Sequence, residues 1–205
     1  DLGSALMLLL ILAGMILFHG IRKIIFKICA LAAPCLLFLM WNVGMHDYQR
    51  QRILTFLNPD ADPLGTGYHI LQSRIAIGSG QMWGKGFTEG TQSQLRFLPE
   101  RHSVFGEEWG FVGCVCLITL FSLFLLSIFS TVMQAKDRFG CMLCAGVFFY
   151  FFWEIFINIG MVVGIMPVVG IPLPFISYGG SATIVNFIFL GIVLNVSMRR
   201  FSFKM

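Results

Sequence analysis

The sequence predicts an all-α fold, a polytopic bundle of membrane helices with one large extracytoplasmic loop. Three observations carry this expectation. Of 205 residues, 57% are hydrophobic and only 12% charged, whereas a soluble domain of this size carries about 25% charged residues. The apolar residues form long, nearly continuous runs. The charges are sorted, with 13 of the 24 lying between His46 and Glu108 and most of the others punctuating apolar runs. Such a chain has too little polar surface for a water-facing enzyme and far too much apolar surface for a disordered segment. The formal net charge of +4 comes from short clusters rather than a basic stripe on one exposed face, so no nucleic-acid partner is expected.

A helix needs about 20 apolar residues to cross the hydrocarbon, where open backbone groups find no partner. Five segments qualify: 2–20, 24–44, 109–133, 139–166 and 175–198. The first two are separated only by His19-Gly-Ile-Arg-Lys23 and form a hairpin; so do the third and fourth, across Gln134–Arg138. The chain thus divides into a transmembrane hairpin (1–44), a large loop (45–108) and three further spans (109–205). Basic residues at Arg22, Lys23 and Lys27, at Lys136 and Arg138, and at Arg199, Arg200 and Lys204 all fall on one side. By the positive-inside tendency that side is the cytoplasm, which places loop 45–108 outside and the C-terminus inside. The chain begins at Asp1 without a signal peptide and enters a span at once. A preceding part of a larger protein is therefore expected.

All six cysteines lie in predicted spans. Cys141 and Cys144 have redox or zinc spacing, but no second pair or nearby His accompanies them, so they read as packing residues.

The loop is too long for a connector and too rich in Tyr, Phe, Ile and Trp for disorder. Asn58–Pro63 is a turn-rich entry, and Tyr68–Ile77 reads as a half-amphipathic interfacial segment. Gly78-Ser-Gly-Gln-Met-Trp-Gly-Lys-Gly86 fails as a nucleotide phosphate loop: position 79 is Ser and Gly86 follows Lys85. Its backbone amides beside Lys85 still suit a pyrophosphate, against the plainer reading of a flexible turn. Thr91–His102 then gathers hydroxyl, amide, acid, guanidinium and imidazole groups ahead of a span, a pattern suited to a sugar-phosphate head group. Glu107 and Glu108 follow where a helix N-terminus would favour carboxylates.

Inside the membrane, Glu154 is a functional candidate because embedded ionisable groups are costly. Asn158 lies one turn on and shares its face; a structural pair between helices is the alternative. From Gly164 to Ser181, three prolines and four glycines interrupt the chain. Pro172 and Pro174 forbid a continuous helix. Broken backbone at membrane depth is tolerated where protein buries it or where it lines a cavity, so 164–181 reads as an outer re-entrant motif opening outward.

Several motifs in order then carry a resemblance. They are Met45-His-Asp-Tyr-Gln-Arg-Gln-Arg52, Asp62-Pro-Leu-Gly-Thr-Gly-Tyr-His-Ile-Leu-Gln72, Ile77-Gly-Ser-Gly80 and Gly84-Lys-Gly86. Gly90-Thr-Gln-Ser93, Phe97-Leu-Pro-Glu-Arg-His102 and Pro172-Leu-Pro-Phe-Ile-Ser-Tyr-Gly-Gly-Ser181 follow. Over essentially its whole length the chain resembles the SEDS family (shape, elongation, division and sporulation). Val168-Val169-Gly170 favours its elongation branch over its division branch.

The resemblance implies a peptidoglycan glycosyltransferase of the bacterial cytoplasmic membrane, with this chain supplying the last five of an expected ten spans. It implies polymerisation of lipid II at the outer face, beside a class B penicillin-binding protein, a transpeptidase, among membrane lipids. In the mechanism proposed for the family, a loop Asp takes the proton from the acceptor hydroxyl, which attacks the donor anomeric carbon with inversion. This parallels the base half of an inverting glycosidase. Charge developing on the departing pyrophosphate calls for Arg, Lys or a divalent cation such as Mg or Mn; no other cofactor is implied. Lys85, Gln92, Ser93, Arg101 and His102 become the substrate-binding candidates, with Ser177, Tyr178, Gly179, Gly180 and Ser181 lining the cavity for the lipid-linked substrate.

The chain departs from the family pattern at one decisive place. The family continues its Pro-Glu-x-His motif with Thr-Asp-Phe-Ile-Phe, and that Asp is the proposed base. Here His102 runs directly into Ser103. Either the segment is deleted and the enzyme is dead, or residues between these two positions are omitted from the sequence; a chain that also lacks an initiator Met and the first half of the fold favours omission. Glu100 is the weak substitute. Relatives often carry Glu where this chain has Arg96, so Arg96 receives no role. Two other functions stay open: lipid II flipping, which broken helices and Glu154 would suit, and a non-catalytic scaffold that activates the penicillin-binding protein.

Overall fold

A computed structural model describes residues 2–20, 23–44, 46–57, 75, 78–86, 101–167, 170–177 and 179–199. Helices α1 (Leu2–His19) and α2 (Lys23–Leu39) come first, and α2 continues as a π-helical turn, Met40–Gly44. A short α3 (Asp47–Leu57) follows inside the expected loop; then come α4 (Arg101–Gln134), α5 (Arg138–Val163) and α6 (Gly180–Arg199). No strand occurs among the described residues, as expected of an all-α membrane bundle.

Three of these helices, over Phe105–Gln134, Arg138–Met161 and Gly180–Arg199, are long and apolar enough to cross a membrane. Helices α1 and α2 are apolar but shorter, with Pro34 inside α2. Two side chains answer the carbonyls that loosen at its end. Asn42 Nδ2 donates to Phe38 O at 2.8 Å, and Arg50 Nη2 donates to Asn42 O at 3.0 Å.

Helix α5 is the hub: α1, α4 and α6 all pack on it, and α4 also meets α6. The core joins Phe121, Ile128 and Val132 of α4 to Cys144, Val147, Phe151 and Ile155 of α5 and to Val193 of α6. On the other side Met7 of α1 packs with Ile157 and Met161. Outward, large apolar side chains such as Leu8, Leu31, Leu123, Leu126 and Ile184 are exposed, the surface a bilayer covers. The few hydroxyls on α4 bond back to their own helix, as Thr119 Oγ1 does to Val115 O and Ser122 Oγ to Ile118 O, both at 2.8 Å. They therefore cost little in lipid. Among the described cysteines, Cys35, Cys114, Cys116, Cys141 and Cys144 are free thiols, with Cys144 fully buried as a packing residue.

The helix ends follow from local chemistry. Asp137 caps α5, its Oδ2 accepting from Gly140 N at 2.7 Å. Gly164 ends α5 in the left-handed region (φ 78°), its N–H returning to the last turn. Pro167 follows three residues on.

The largest difference from expectation is α4. The sequence places its start at 109, but helix begins at Arg101 and kinks at Gly110, where φ is 63° and ψ −162°. Glu107 and Glu108 are thus inside a helical run, not at its first turn as expected for capping carboxylates. Segment 78–86 runs alongside the kink and supplies the partners that the kink removes.

Candidate functional site

That segment and the kink form a reciprocal clamp. Breaking a helix orphans amides on one side and carbonyls on the other. Phe111 N and Val112 N donate to Gln81 O (2.9 Å) and Met82 O (3.1 Å). In return Lys85 N and Gly86 N donate to Glu107 O (3.0 Å) and Glu108 O (3.2 Å). Gly84 (φ 78°) and Gly110 (φ 63°) are in the left-handed region and lie backbone to backbone. A Cβ on Gly84 would collide with Glu108 O, and one on Gly110 with Gly84 N. Across this contact Lys85 Nζ donates to Glu107 Oε1 at 2.8 Å. The Glu107 side chain is fully buried and that of Lys85 is 31% exposed.

Lys85 is therefore placed against Glu107, an ion pair that sequence reasoning missed when it matched Lys85 to a pyrophosphate. Gly80 and Gly84, facing Gly106 and Gly110, were the available signal, since paired glycines mark a close backbone approach. Arg101 and His102 form the first turn of α4, and Ser103 continues it. Gln92, Ser93, Glu100 and Tyr178 lie outside the described residues, as does most of Tyr68–Ile77.

The same end of the bundle holds the proline-rich segment. Ser177 Oγ accepts from Leu173 N at 3.0 Å, and Ser177 N donates to Leu173 O at 3.0 Å, closing a turn. Phe175 sits at positive φ (62°), held by its ring: it stacks on Phe151 (5.9 Å) and meets Phe124 and Phe187 edge-on. Gly179, Gly180 and Ser181 open α6, with Gly180 and Ser181 exposed.

Between α1, α5 and α6 lies a groove of about 760 Å³, closed at one end by Gly170–Pro172. Its wall is apolar except for Ser4, Tyr150 and Glu154. Ser177 and Gly179–Ser181 are not among its lining residues; they form the turn beyond it. Glu154 and Asn158 are both buried, as their shared helix face predicts. The Tyr150 hydroxyl lies 3.2 Å from both Glu154 Oε1 and Asn186 Oδ1, linking α5 to α6. Asn158 Nδ2 donates to Glu154 O (2.8 Å) and to Pro172 O (3.3 Å), tying the re-entrant segment to α5. Glu154 Oε2 and Asn158 Oδ1 have no hydrogen-bond partner among the described residues. Replacing Asn158 by alanine should release that tie. We expect a loss of about 1 kcal/mol, read as a lower unfolding temperature in detergent, with faster proteolysis within 164–177.

Among the described residues, no three His, Cys, Asp or Glu side chains converge to hold a metal, and Glu107 is engaged by Lys85.

Apolar helices packed on one hub, with a clamped polar loop and a proline-rich turn at the same end, define a polytopic helical membrane protein. The chain belongs to the cell cycle protein family of FtsW, RodA and SpoVE, whose model matches residues 1–201. This bears out the SEDS resemblance. It is 43% identical over 205 residues to the peptidoglycan glycosyltransferase MrdB of Escherichia coli K12, covering 98% of this chain and 55% of MrdB. It is 42% identical to a probable peptidoglycan glycosyltransferase FtsW of Geobacter metallireducens, over 97% of this chain and 54% of that protein. It is 43% identical over 158 residues to the peptidoglycan glycosyltransferase RodA of Treponema pallidum, covering 75% of this chain and 36% of that one. A solved structure of a peptidoglycan synthase complex, described as coordinating polymerization and crosslinking, superposes with a TM-score of 0.77 at 29% identity. That match covers 99% of this chain and 57% of the other. The chain spans about half the length of the curated relatives it matches.

Proposed function

We propose that the full-length protein carrying this chain is a peptidoglycan glycosyltransferase that polymerises lipid II during cell elongation. The observation that carries the reading is the 43% identity to MrdB across 98% of the chain. Loop 45–108 faces outward and the C-terminus faces the cytoplasm, because the basic clusters share one side. A class B penicillin-binding protein works beside it; the likeness to a complex that coordinates polymerization and crosslinking supports that partner.

The chemistry needs a carboxylate at the acceptor hydroxyl and positive charge at the departing pyrophosphate. The carboxylate belongs to the family's Thr-Asp-Phe-Ile-Phe segment, whose place is between His102 and Ser103. In this account Arg101 and His102, on the first turn of α4, meet the pyrophosphate, and the Lys85–Glu107 clamp holds that turn in place. The donor sugar is inverted as the hydroxyl replaces pyrophosphate.

A second reading draws on the groove with its embedded Glu154, which would suit lipid II translocation. Purified full-length protein bearing the Thr-Asp-Phe-Ile-Phe segment, given fluorescent lipid II, separates the two. Glycan ladders without another polymerase support polymerisation; exchange between leaflets without ladders refutes it. Neither product, with partner binding intact, leaves the scaffold role.

A further inference from the structure

The opposite end of the bundle, where α5 begins and α6 ends, has a second pocket of about 420 Å³. Its floor is apolar, built from Leu143 of α5 and Ile188 and Ile192 of α6, and its mouth carries Asn195 and Arg199. Exposed Lys136 and Arg138 are the chain neighbours of Asp137, which lines the pocket at the start of α5. The one acid there, Asp137, has Oδ2 accepting from Gly140 N at 2.7 Å as the cap of α5. Three cations against one capped carboxylate leave the mouth positive. The two helices meet closely at its rim, where a Cβ on Gly140 would lie 3.2 Å from Val196 Cγ1. Deeper in, Gly191 faces open space, with nothing within 4 Å of a Cβ built there. An apolar trough leading up to a cationic rim at a helix end fits an amphiphile with an anionic head.

We infer that this pocket binds an anionic phospholipid, its phosphate at Arg199, Arg138 and Asn195 and an acyl chain in the trough beneath Gly191. Polybasic sites beside membrane helices gain roughly fivefold in anionic-lipid affinity for each Lys or Arg near the surface. The site lies at the far end of α5 and α6 from the clamp and the re-entrant turn, and it does not depend on the proposed reaction.

Native mass spectrometry of the full-length protein, with phosphatidylglycerol or phosphatidylcholine added, tests it. Phosphatidylglycerol should be retained at least fivefold better. R199Q should lower that retention roughly fivefold, since it removes one exposed charge. G191L should displace the lipid while the charges stay, because the new side chain occupies the trough. Equal retention of the two lipids would overturn the assignment. So would undiminished phosphatidylglycerol binding by G191L, which would mean diffuse surface charge rather than a built site. Should G191L fail to fold, R199Q, on an exposed residue, decides alone: unchanged retention refutes the site.

Discussion

Replacing Gly84 or Gly110 by alanine should cost this protein more than any other single methyl added to it. Both glycines hold left-handed backbone, at φ 78° and 63°, which costs an L-residue about 1–2 kcal/mol. The new Cβ would then overlap backbone, Glu108 O in one case and Gly84 N in the other. Backbone cannot swing aside as a long side chain can, so overpacking adds about 1–3 kcal/mol. The clamp opens, Phe111 and Val112 lose their carbonyl partners, and the first turn of α4 shifts. In full-length protein bearing the Thr-Asp-Phe-Ile-Phe segment, the expected result is a lower unfolding temperature and a loss of polymerising activity on the order of 10²-fold, the scale set by small misplacements of reacting groups. Gly78 is the internal control. Nothing lies within 4 Å of a Cβ there, so G78A should unfold and polymerise like the unmodified protein.

The second large effect concerns the ion pair inside the clamp. K85M strands a fully buried carboxylate and should cost about 3 kcal/mol, the low end for a broken buried pair, because the Lys85 side chain is 31% exposed. E107Q should cost clearly less, since the cation left behind can reach water. Thermal unfolding of both variants checks the order. Equal losses would show that Glu107 is not the buried member that dictates the energetics. Losses near zero would show that the backbone contacts alone hold the segment.

How far these features are legible in the sequence depends on their range. The helices are legible because lipid demands continuous apolar runs, and 139–166 falls within a few residues of the observed Arg138–Val163. The kink in α4 is not legible, because its partners come from a segment about twenty residues upstream whose register no local pattern encodes. The pairing of Lys85 with Glu107 hides for the same reason: a charge in a glycine-rich turn looks alike whether it awaits a ligand or a partner. Glu154 and Asn158 illustrate the opposite case. Their spacing of one turn puts them on one buried face, and the structure adds that Asn158 reaches Pro172. Ser177 reads as a ligand group in isolation, yet its hydroxyl accepts from Leu173 N, a contact set by the proline-driven turn.

The central claim is that polymerisation by the full-length protein depends on a carboxylate lying between His102 and Ser103. Restoring Thr-Asp-Phe-Ile-Phe at that junction, beside the uninterrupted sequence and a version with Ala for the inserted Asp, tests it most directly. Each purified protein is given fluorescent lipid II and its products are separated by length. Glycan ladders are expected from the restored protein and none from the other two. Ladders of equal yield from the protein without the segment, or from the version carrying Ala, would contradict it.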